Sequence, residues 1–175
     1  MSPHVAKHGV SRMTLTDQIR AQLDRLTAQS DWRFAIGLVI RFNKPTLMYQ
    51  TYPQAWLDYY ARNGLLFSDP ILKWGMENFG ICDWGALRAQ DAAGVMERAA
   101  TFGLVHGIIA STGNEVSRSV GFFAHAQRPI TPEETALATD VVERLHELSL
   151  SVADSDPASL APLLALNQLL RDPLT

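Results

Sequence analysis

The sequence has little of what disulfide-bonded, zinc-binding or membrane-spanning proteins need. It contains one cysteine, Cys82, in 175 residues, which excludes an internal disulfide and offers no cysteine set for a metal ion. No run of about 20 apolar residues is present, so there is no candidate transmembrane helix. Residues 1–13 lack the apolar core of a secretory signal and are interpreted as a loose leader. We therefore expect a soluble, cytoplasmic protein with no membrane partner.

Clustered basic charge is also missing. The chain has 15 Lys and Arg against 18 Asp and Glu, a formal net charge of −3, and its basic residues are scattered. Nucleic-acid backbones favour clustered Lys and Arg, because each neutralised phosphate releases counterions. We expect no direct binding of nucleic acid by this chain.

Catalytic and metal-binding motifs are absent from the sequence as well. It has no Gly-x-Ser-x-Gly motif, no glycine-rich phosphate loop and no His-Glu-x-x-His pair. Isolated carboxylates such as Asp83 and Glu97 are more often solvated than catalytic. The five histidines lie in separate predicted elements without the spacing of metal ligands: His4, His8, His106, His125 and His146. We expect no enzyme activity, no metal and no cofactor.

The helix and strand patterns that are present fit one domain with a genuine core. Amphipathic spacing, capping residues and glycine stops predict helices over 14–30, 53–63, 70–79, 91–102 and 132–152. Runs rich in β-branched and aromatic residues predict strands over 34–42, 46–51, 106–112 and 117–125. The chain between 79 and 84 is expected to be irregular.

This order of elements predicts an α+β fold. We expect an α-β-α sandwich, in which an antiparallel sheet carries helices on both faces and has a hairpin at each end. The domain is placed at 14–152. Residues 153–175 are expected to form a linker or a short C-terminal helix, with no room for a helix-turn-helix domain.

A cluster of aromatic and acidic residues stands out between 52 and 84. Tyr52, Trp56 and Tyr60 are spaced four apart, so they lie along one face of a helix and its entry. Asp69 follows at the start of the next predicted helix. Each aromatic has an apolar body and a polar tip, which suits a pocket of mixed polarity. The alternative is that the aromatics are core residues and Asp69 is a simple helix cap.

At these residues the sequence resembles the autoinducer-binding domain of LuxR-type quorum-sensing regulators. The resemblance runs from the first helix to about Val152, and its two blocks have specific spacings. The motifs are Tyr52-Pro53-x-x-Trp56-x-x-x-Tyr60, Asp69-Pro70, Trp84, Ala99-Ala100-Thr101-Phe102-Gly103-Leu104-x-x-Gly107 and Gly121. The resemblance implies a sensory domain that encloses an N-acyl-homoserine lactone between the sheet and the middle helices.

The same resemblance implies a role for each matching residue. Trp56 would donate its indole N–H to the lactone carbonyl, and Tyr52 would donate to the acyl carbonyl. Asp69 would accept a hydrogen bond from the amide N–H. Tyr60 and Trp84 would wall the lactone. The remaining pocket residues, mainly at the acyl end, would be Ile71, Val95, Met96, Ala99, Leu104 and Ile109.

Two departures from the family pattern affect the expected ligand and partners. Ala124 stands where many members carry a hydroxyl that reaches a 3-oxo group, and Ile109 replaces a position that is often polar. An unsubstituted, long or atypical acyl group is therefore expected rather than a 3-oxo group. Because members usually dimerise, the resemblance implies a homodimer or a heterodimer with related regulators. The alternative is a ligand-independent dimerisation protein with a degenerate pocket.

Overall fold

The computed structural model describes residues 13–171, which contain six α-helices and five strands. The predicted leader therefore lies outside the described residues except for Met13. The helices are α1 Leu15–Gln29, α2 Gln54–Arg62, α3 Pro70–Glu77, α4 Val95–Ala100, α5 Pro132–Ser149 and α6 Pro157–Arg171. The strands are β1 Arg33–Arg41, β2 Lys44–Gln50, β3 Gly80–Asp83, β4 His106–Gly113 and β5 Arg118–His125.

The five strands form one antiparallel sheet in the order β2-β1-β5-β4-β3. Alternate side chains of β1 leave the sheet on opposite faces. Phe34 and Ile36 join a hydrophobic cluster with α1, α5 and α6, whereas Ala35 joins a second cluster with α2, α3 and α4. The predicted α-β-α sandwich is confirmed.

The prediction that the chain between the third helix and Trp84 is irregular is wrong. Residues Gly80–Asp83 form β3, which pairs with β4 at the sheet edge, and a 3₁₀ helix follows over Trp84–Gln90. Because β3 takes the outer position, the β4–β5 hairpin lies inside the sheet and not at its end. Only the β1–β2 hairpin occupies an edge as expected.

The fourth predicted helix begins later than expected. The Asp91 carboxylate accepts hydrogen bonds from the backbone N–H groups of Val95 and Met96, each at 2.8 Å, so it does cap a helix. The helix, however, starts at Val95, because Gly94 adopts a left-handed conformation with φ of 70°. The chain between Asp91 and Gly94 is a turn.

A bulge in β1 fastens the sheet to α5. Val39 has φ of 49°, which is rare for a β-branched residue and costs on the order of 1–3 kcal/mol. Its N–H donates to Ser119 Oγ at 2.9 Å, and its carbonyl accepts from Thr46 Oγ1 at 2.9 Å. Ser119 Oγ lies 2.6 Å from Nδ1 of the buried His146. The strained residue is thus held from both sides.

This buried contact makes stability depend on pH. Burial lowers the pKa of His146 below its ordinary value, despite the nearby Glu147 carboxylate. Below about pH 6.5 the unfolded chain takes up a proton that the folded chain resists. We expect the free energy of unfolding to fall as pH drops below that value, by at most about 1.4 kcal/mol per pH unit.

The comparison protein is His146→Gln, which keeps a polar side chain but does not titrate. Urea unfolding of both proteins between pH 7.5 and 5 should give a shallower pH dependence for the variant. All other titrating groups are common to the two proteins, so the difference isolates His146. Equal slopes would contradict the assignment.

Candidate functional site

The connection from β2 to α2 brings three of the predicted aromatic residues together. Pro53 adopts φ of −56° and immediately precedes α2, and Gly64, with φ of 59°, follows its end. Trp56 is buried, and its ring centroid lies 5.5 Å from that of Tyr60 in an edge-on arrangement. Phe102 contacts the same indole, with ring centroids 5.4 Å apart. The indole is therefore fixed in orientation by aromatic neighbours.

Asp69 begins α3 as predicted. Its Oδ1 accepts from the backbone N–H groups of Ile71 at 2.9 Å and Leu72 at 3.4 Å. Its Oδ2 accepts from the Tyr60 hydroxyl at 2.8 Å, which leaves further acceptor capacity on that oxygen. Burial raises the pKa of Asp69, and the hydrogen bonds only partly oppose that effect. This carboxylate is both a helix cap and a desolvated acceptor.

The hydrogen-bond donors near this acid are available for a ligand. Burial and the charge of Asp69 raise the pKa of Tyr52 and of Tyr60, so both phenols remain protonated donors. Within residues 13–171, neither the Tyr52 hydroxyl nor the Trp56 indole N–H makes a hydrogen bond. A group that carried two acceptors and one donor would find complementary partners here.

A cavity of about 210 Å³, which we call the small cavity, lies among these side chains. Ten of the twelve predicted site residues line it. They are Tyr52, Trp56, Tyr60, Asp69, Ile71, Trp84, Val95, Met96, Ala99 and Leu104. The structure therefore brings together the polar and aromatic residues named from the sequence.

The other two predicted residues, Ile109 and Ala124, do not line this cavity. Both are fully buried and belong to the same hydrophobic cluster as Trp56. They face the correct side of the sheet but are covered by other side chains. Their expected roles, Ile109 in the lining toward the acyl end and Ala124 at the 3-oxo position, stay predictions.

Sequence reasoning missed seven residues of the small cavity. These are Ala35, Met48, Gln50, Leu57, Leu66, Leu72 and Phe122. A signal was available only for the strand residues. Ala35, Gln50 and Phe122 occupy one cross-strand row on the face toward α2 and α3, and Met48 lies two residues before Gln50 on the same face of β2. The others come from positions that read as ordinary core or loop.

A second cavity of about 780 Å³, the large cavity, adjoins the first. The two share six residues: Ala35, Met48, Leu66, Asp69, Leu72 and Phe122. Gly37, Val120 and Met76 extend the apolar lining, and Lys73, Glu77 and Gln90 add polar groups. Neither cavity is sealed from solvent.

Gly107 gives Trp84 the space it occupies. A Cβ at Gly107 would lie 2.3 Å from two indole carbons of Trp84 and 2.7 Å from the carbonyl oxygen of Phe123. The indole is buried against this backbone, with its own nitrogen unpaired in the described chain. The glycine of the second motif therefore supports one wall of the small cavity.

Other classes of site are not seen in the part of the chain that the structure describes. Residues 13–171 contain no group of three or more His, Cys, Asp or Glu side chains that could hold a metal ion. No helix in this range is long and apolar enough to cross a membrane.

Fold and site together define a ligand-binding domain with an aromatic and acidic pocket. The family model for the autoinducer binding domain matches residues 16–154, and the chain belongs to that family. This family consists of ligand-binding domains of LuxR-type regulators and is not an enzyme family. A comparison with curated proteins gave no match.

Solved structures show the same fold. SdiA from Escherichia coli has 20% sequence identity and a TM-score of 0.59, over 82% of this chain and 64% of the SdiA chain. A complex of SdiA with octanoyl-rac-glycerol gives 21% identity and the same TM-score, over 82% and 63% of the two chains. CepR2 of Burkholderia cenocepacia is an N-acylhomoserine-lactone-dependent LuxR-family transcription factor. It has 14% sequence identity and a TM-score of 0.51, over 78% of this chain and 93% of the CepR2 chain. The chain thus spans less than two thirds of the length of these two SdiA chains.

Proposed function

We propose that this domain is a receptor for an N-acyl-homoserine lactone or a closely similar amphiphile, and that it has no catalytic activity. The observation that carries the proposal is the convergence of Asp69, Tyr52 and Trp56 on the small cavity. One desolvated acceptor and two unengaged donors match the amide and the two carbonyl groups of such a ligand.

Each polar contact has a defined partner in this proposal. The indole N–H of Trp56 donates to the lactone carbonyl, and the Tyr52 hydroxyl donates to the acyl carbonyl. Oδ2 of Asp69 accepts the ligand amide N–H beside the Tyr60 hydroxyl. A buried amide group left without a partner costs about 1–3 kcal/mol, so these contacts select for the head group.

The sizes of the two cavities support a separate position for the ligand tail. A cavity of about 150 Å³ holds benzene, whereas whole ligands occupy about 300–1,000 Å³. The small cavity, at about 210 Å³, suits the lactone and amide but not a long acyl chain as well. We place the tail in the large cavity, which begins at the shared residue Ala35. The head group then lies in the small cavity, and the tail extends from it into the large cavity.

Small residues on β1 form the floor of this path. Ala35 and Gly37 lie two residues apart on one face of the strand. Gly37 stands between Met48 on β2 and Val120 on β5, and all three line the large cavity. The missing side chain at Gly37 leaves a trough between these two larger neighbours, which we propose holds the alkyl chain.

The relatives of similar fold support an acylated ligand. CepR2 is N-acylhomoserine-lactone dependent, and SdiA forms a complex with octanoyl-rac-glycerol. Both ligands join an acyl chain to a compact polar head. The donors of a glycerol head could use Asp69 as an amide does, so acylglycerols belong in the same screen.

The test is a thermal-melt screen against N-acyl-homoserine lactones of graded length, with and without a 3-oxo group. We expect unsubstituted long chains to raise the melting temperature most, because each buried methylene adds up to about 0.8 kcal/mol. At a ligand concentration of 100 times Kd the gain is about 2.7 kcal/mol. A flat response to every lactone and acylglycerol would contradict the proposal.

The variant Gly37→Leu tests binding of the acyl tail separately from binding of the head group. Its new side chain would fill the trough, where a Cβ meets Ile40 at 3.3 Å and can be accepted by a small shift. Affinity for short-chain lactones should stay near that of the wild type, whereas the gain from longer chains should disappear. An equal loss for all chain lengths would place the tail elsewhere.

A second candidate function is dimerisation, either with a copy of this chain or with related regulators. Leu164 and Leu169 on α6 are 45% and 41% exposed, and each could supply apolar surface to such a contact. Sedimentation equilibrium would detect it. A dimer whose stability is unchanged by every acylated compound tested would favour the ligand-independent alternative over the receptor.

A further inference from the structure

Helix α6 makes side-chain contacts with the ligand-binding segment, although it begins after residue 154, where the family match ends. Leu163 and Leu166 are buried in the cluster with α1 and α5, on the sheet face opposite to the small cavity. From that face, the polar residues of α6 reach around the β2 edge of the sheet. The role of this contact is not given by the family.

The first part of the contact satisfies the free edge of β2. The Tyr49 hydroxyl donates to the Leu163 carbonyl at 2.8 Å. The backbone N–H of Gln50 donates to Asn167 Oδ1 at 2.9 Å. An edge strand presents such groups without a strand partner, so α6 covers the end of β2 where another strand would otherwise pair.

The second part of the contact is a clamp formed by Arg171. One terminal nitrogen, Nη1, donates to the carbonyl oxygens of Tyr52 at 3.1 Å and Gln50 at 3.4 Å. The other, Nη2, donates to Gln54 Oε1 at 3.1 Å. One guanidinium therefore joins the end of β2, the connection that carries Tyr52, and the first residue of α2.

This connection separates the two residues that are proposed to donate hydrogen bonds to the ligand, Tyr52 and Trp56. Tyr52 precedes α2 by two residues, and Trp56 lies in its first turn. On the sheet side, Thr51 is tied to β1, because its N–H donates to the Phe34 carbonyl at 2.8 Å and its Oγ1 accepts from the Phe34 N–H at 2.9 Å. Beyond Thr51, the carbonyl of Tyr52 is held by Arg171 alone within residues 13–171.

We propose that Arg171 is a positioning residue for the ligand site. By holding the backbone at Tyr52 and the start of α2 together, it sets the distance between the Tyr52 hydroxyl and the Trp56 indole N–H. A planar guanidinium can bridge such acceptors in a fixed geometry, whereas a lysine ammonium cannot. This inference rests on the proposed function and adds a residue outside the matched domain.

The clamp also makes α6 sensitive to the ligand. If docking of Arg171 favours the binding geometry, then bound ligand must favour docking of Arg171 by the same factor. Ligand should therefore slow amide exchange in the last turn of α6, although no ligand atom lies on that face of the sheet.

The test compares Arg171→Gln, Arg171→Lys and the control Arg144→Gln, which removes an exposed ion pair of α5 with Asp140. Affinity for N-decanoyl-homoserine lactone is measured by calorimetry, and amide exchange is followed by mass spectrometry. We expect Arg171→Gln and Arg171→Lys to weaken binding about tenfold, a shift of one decade in Kd. Without the lactone, both should speed exchange over residues 51–57, and Arg144→Gln should do neither.

The outcomes separate this inference from the proposed function. No binding by the wild-type protein would count against the lactone receptor, and the exchange comparison without lactone would still decide the role of Arg171. Wild-type affinity and exchange in Arg171→Gln would overturn the positioning role. An equal loss in Arg144→Gln would assign the effect to general destabilisation, and would also overturn it.

Discussion

Replacing Asp69 with Asn is expected to weaken binding of an N-acyl-homoserine lactone by about ten- to a hundredfold, the range of a hydrogen bond to a charged group. The free energy of unfolding should change little. Asn caps helices as well as Asp does, so its Oδ1 can keep the bonds to Ile71 and Leu72. Its amide NH₂ replaces the acceptor Oδ2, which leaves the ligand N–H opposite a donor.

The electrostatics of the site strengthen this separation of binding from stability. Burial raises the pKa of Asp69, so the folded environment stabilises its charged form less than water does. Removing that charge offsets the loss of the bond from Tyr60. The carboxylate that is proposed to bind the ligand is therefore one whose charge does not favour folding.

The measurement pairs urea unfolding without ligand with the lactone-induced rise in melting temperature. Asp58→Asn is the matched control, because Asp58 is an exposed carboxylate of α2 whose one side-chain hydrogen bond within residues 13–171 comes from Gln54. We expect the control to keep both quantities. A normal melting response in Asp69→Asn would show that this carboxylate does not bind the ligand.

Replacing Gly107 with Ala should destabilise the protein and damage the site at once. The added methyl group would overlap the Trp84 indole and the Phe123 carbonyl, at 2.3 and 2.7 Å. The carbonyl belongs to the β4–β5 ladder and cannot move freely, so the indole must shift into the small cavity. Overpacking of this kind costs about 1–3 kcal/mol, and the displaced ring would also exclude the ligand.

Urea unfolding and calorimetric titration with the lactone would check both effects. Gly85→Ala is the control, because its Cβ meets only a carboxylate oxygen of Asp83 at 3.0 Å. The double variant Gly107→Ala with Trp84→Ala should lose less stability than the sum of the two single variants, because the clash needs both side chains, and it should not recover binding. Wild-type behaviour of Gly107→Ala would mean that Trp84 is not held against this strand.

The features that could be predicted from the sequence are those set by local chemistry. Asp69 before Pro70 is a helix start in any context, because the carboxylate accepts the unpaired N–H groups and proline fits the first helical position. Gly64 after α2 is a helix end for a similar reason, since it adopts a left-handed backbone. These signals placed Trp56, Tyr60 and Asp69 correctly relative to one another.

The features that were missed depend on partners far along the chain. The four residues of β3 have no local strand signal, and they become a strand because Asp83 pairs with Ile108 at an open sheet edge. The sequence around Ala35 and Gly37 predicts ordinary core positions of a strand. Only the folded structure shows that they line the large cavity. Arg171 is 119 residues from Tyr52, so nothing in the local sequence links them.

The openness of both cavities has a consequence for the time course of a response. A small molecule that can enter and leave a folded domain exchanges at its own dissociation rate, without waiting for the chain to unfold or to be replaced. The occupied fraction would then decline soon after the surrounding concentration declines. Such a sensor responds to the current concentration of the signal molecule and not to an earlier concentration.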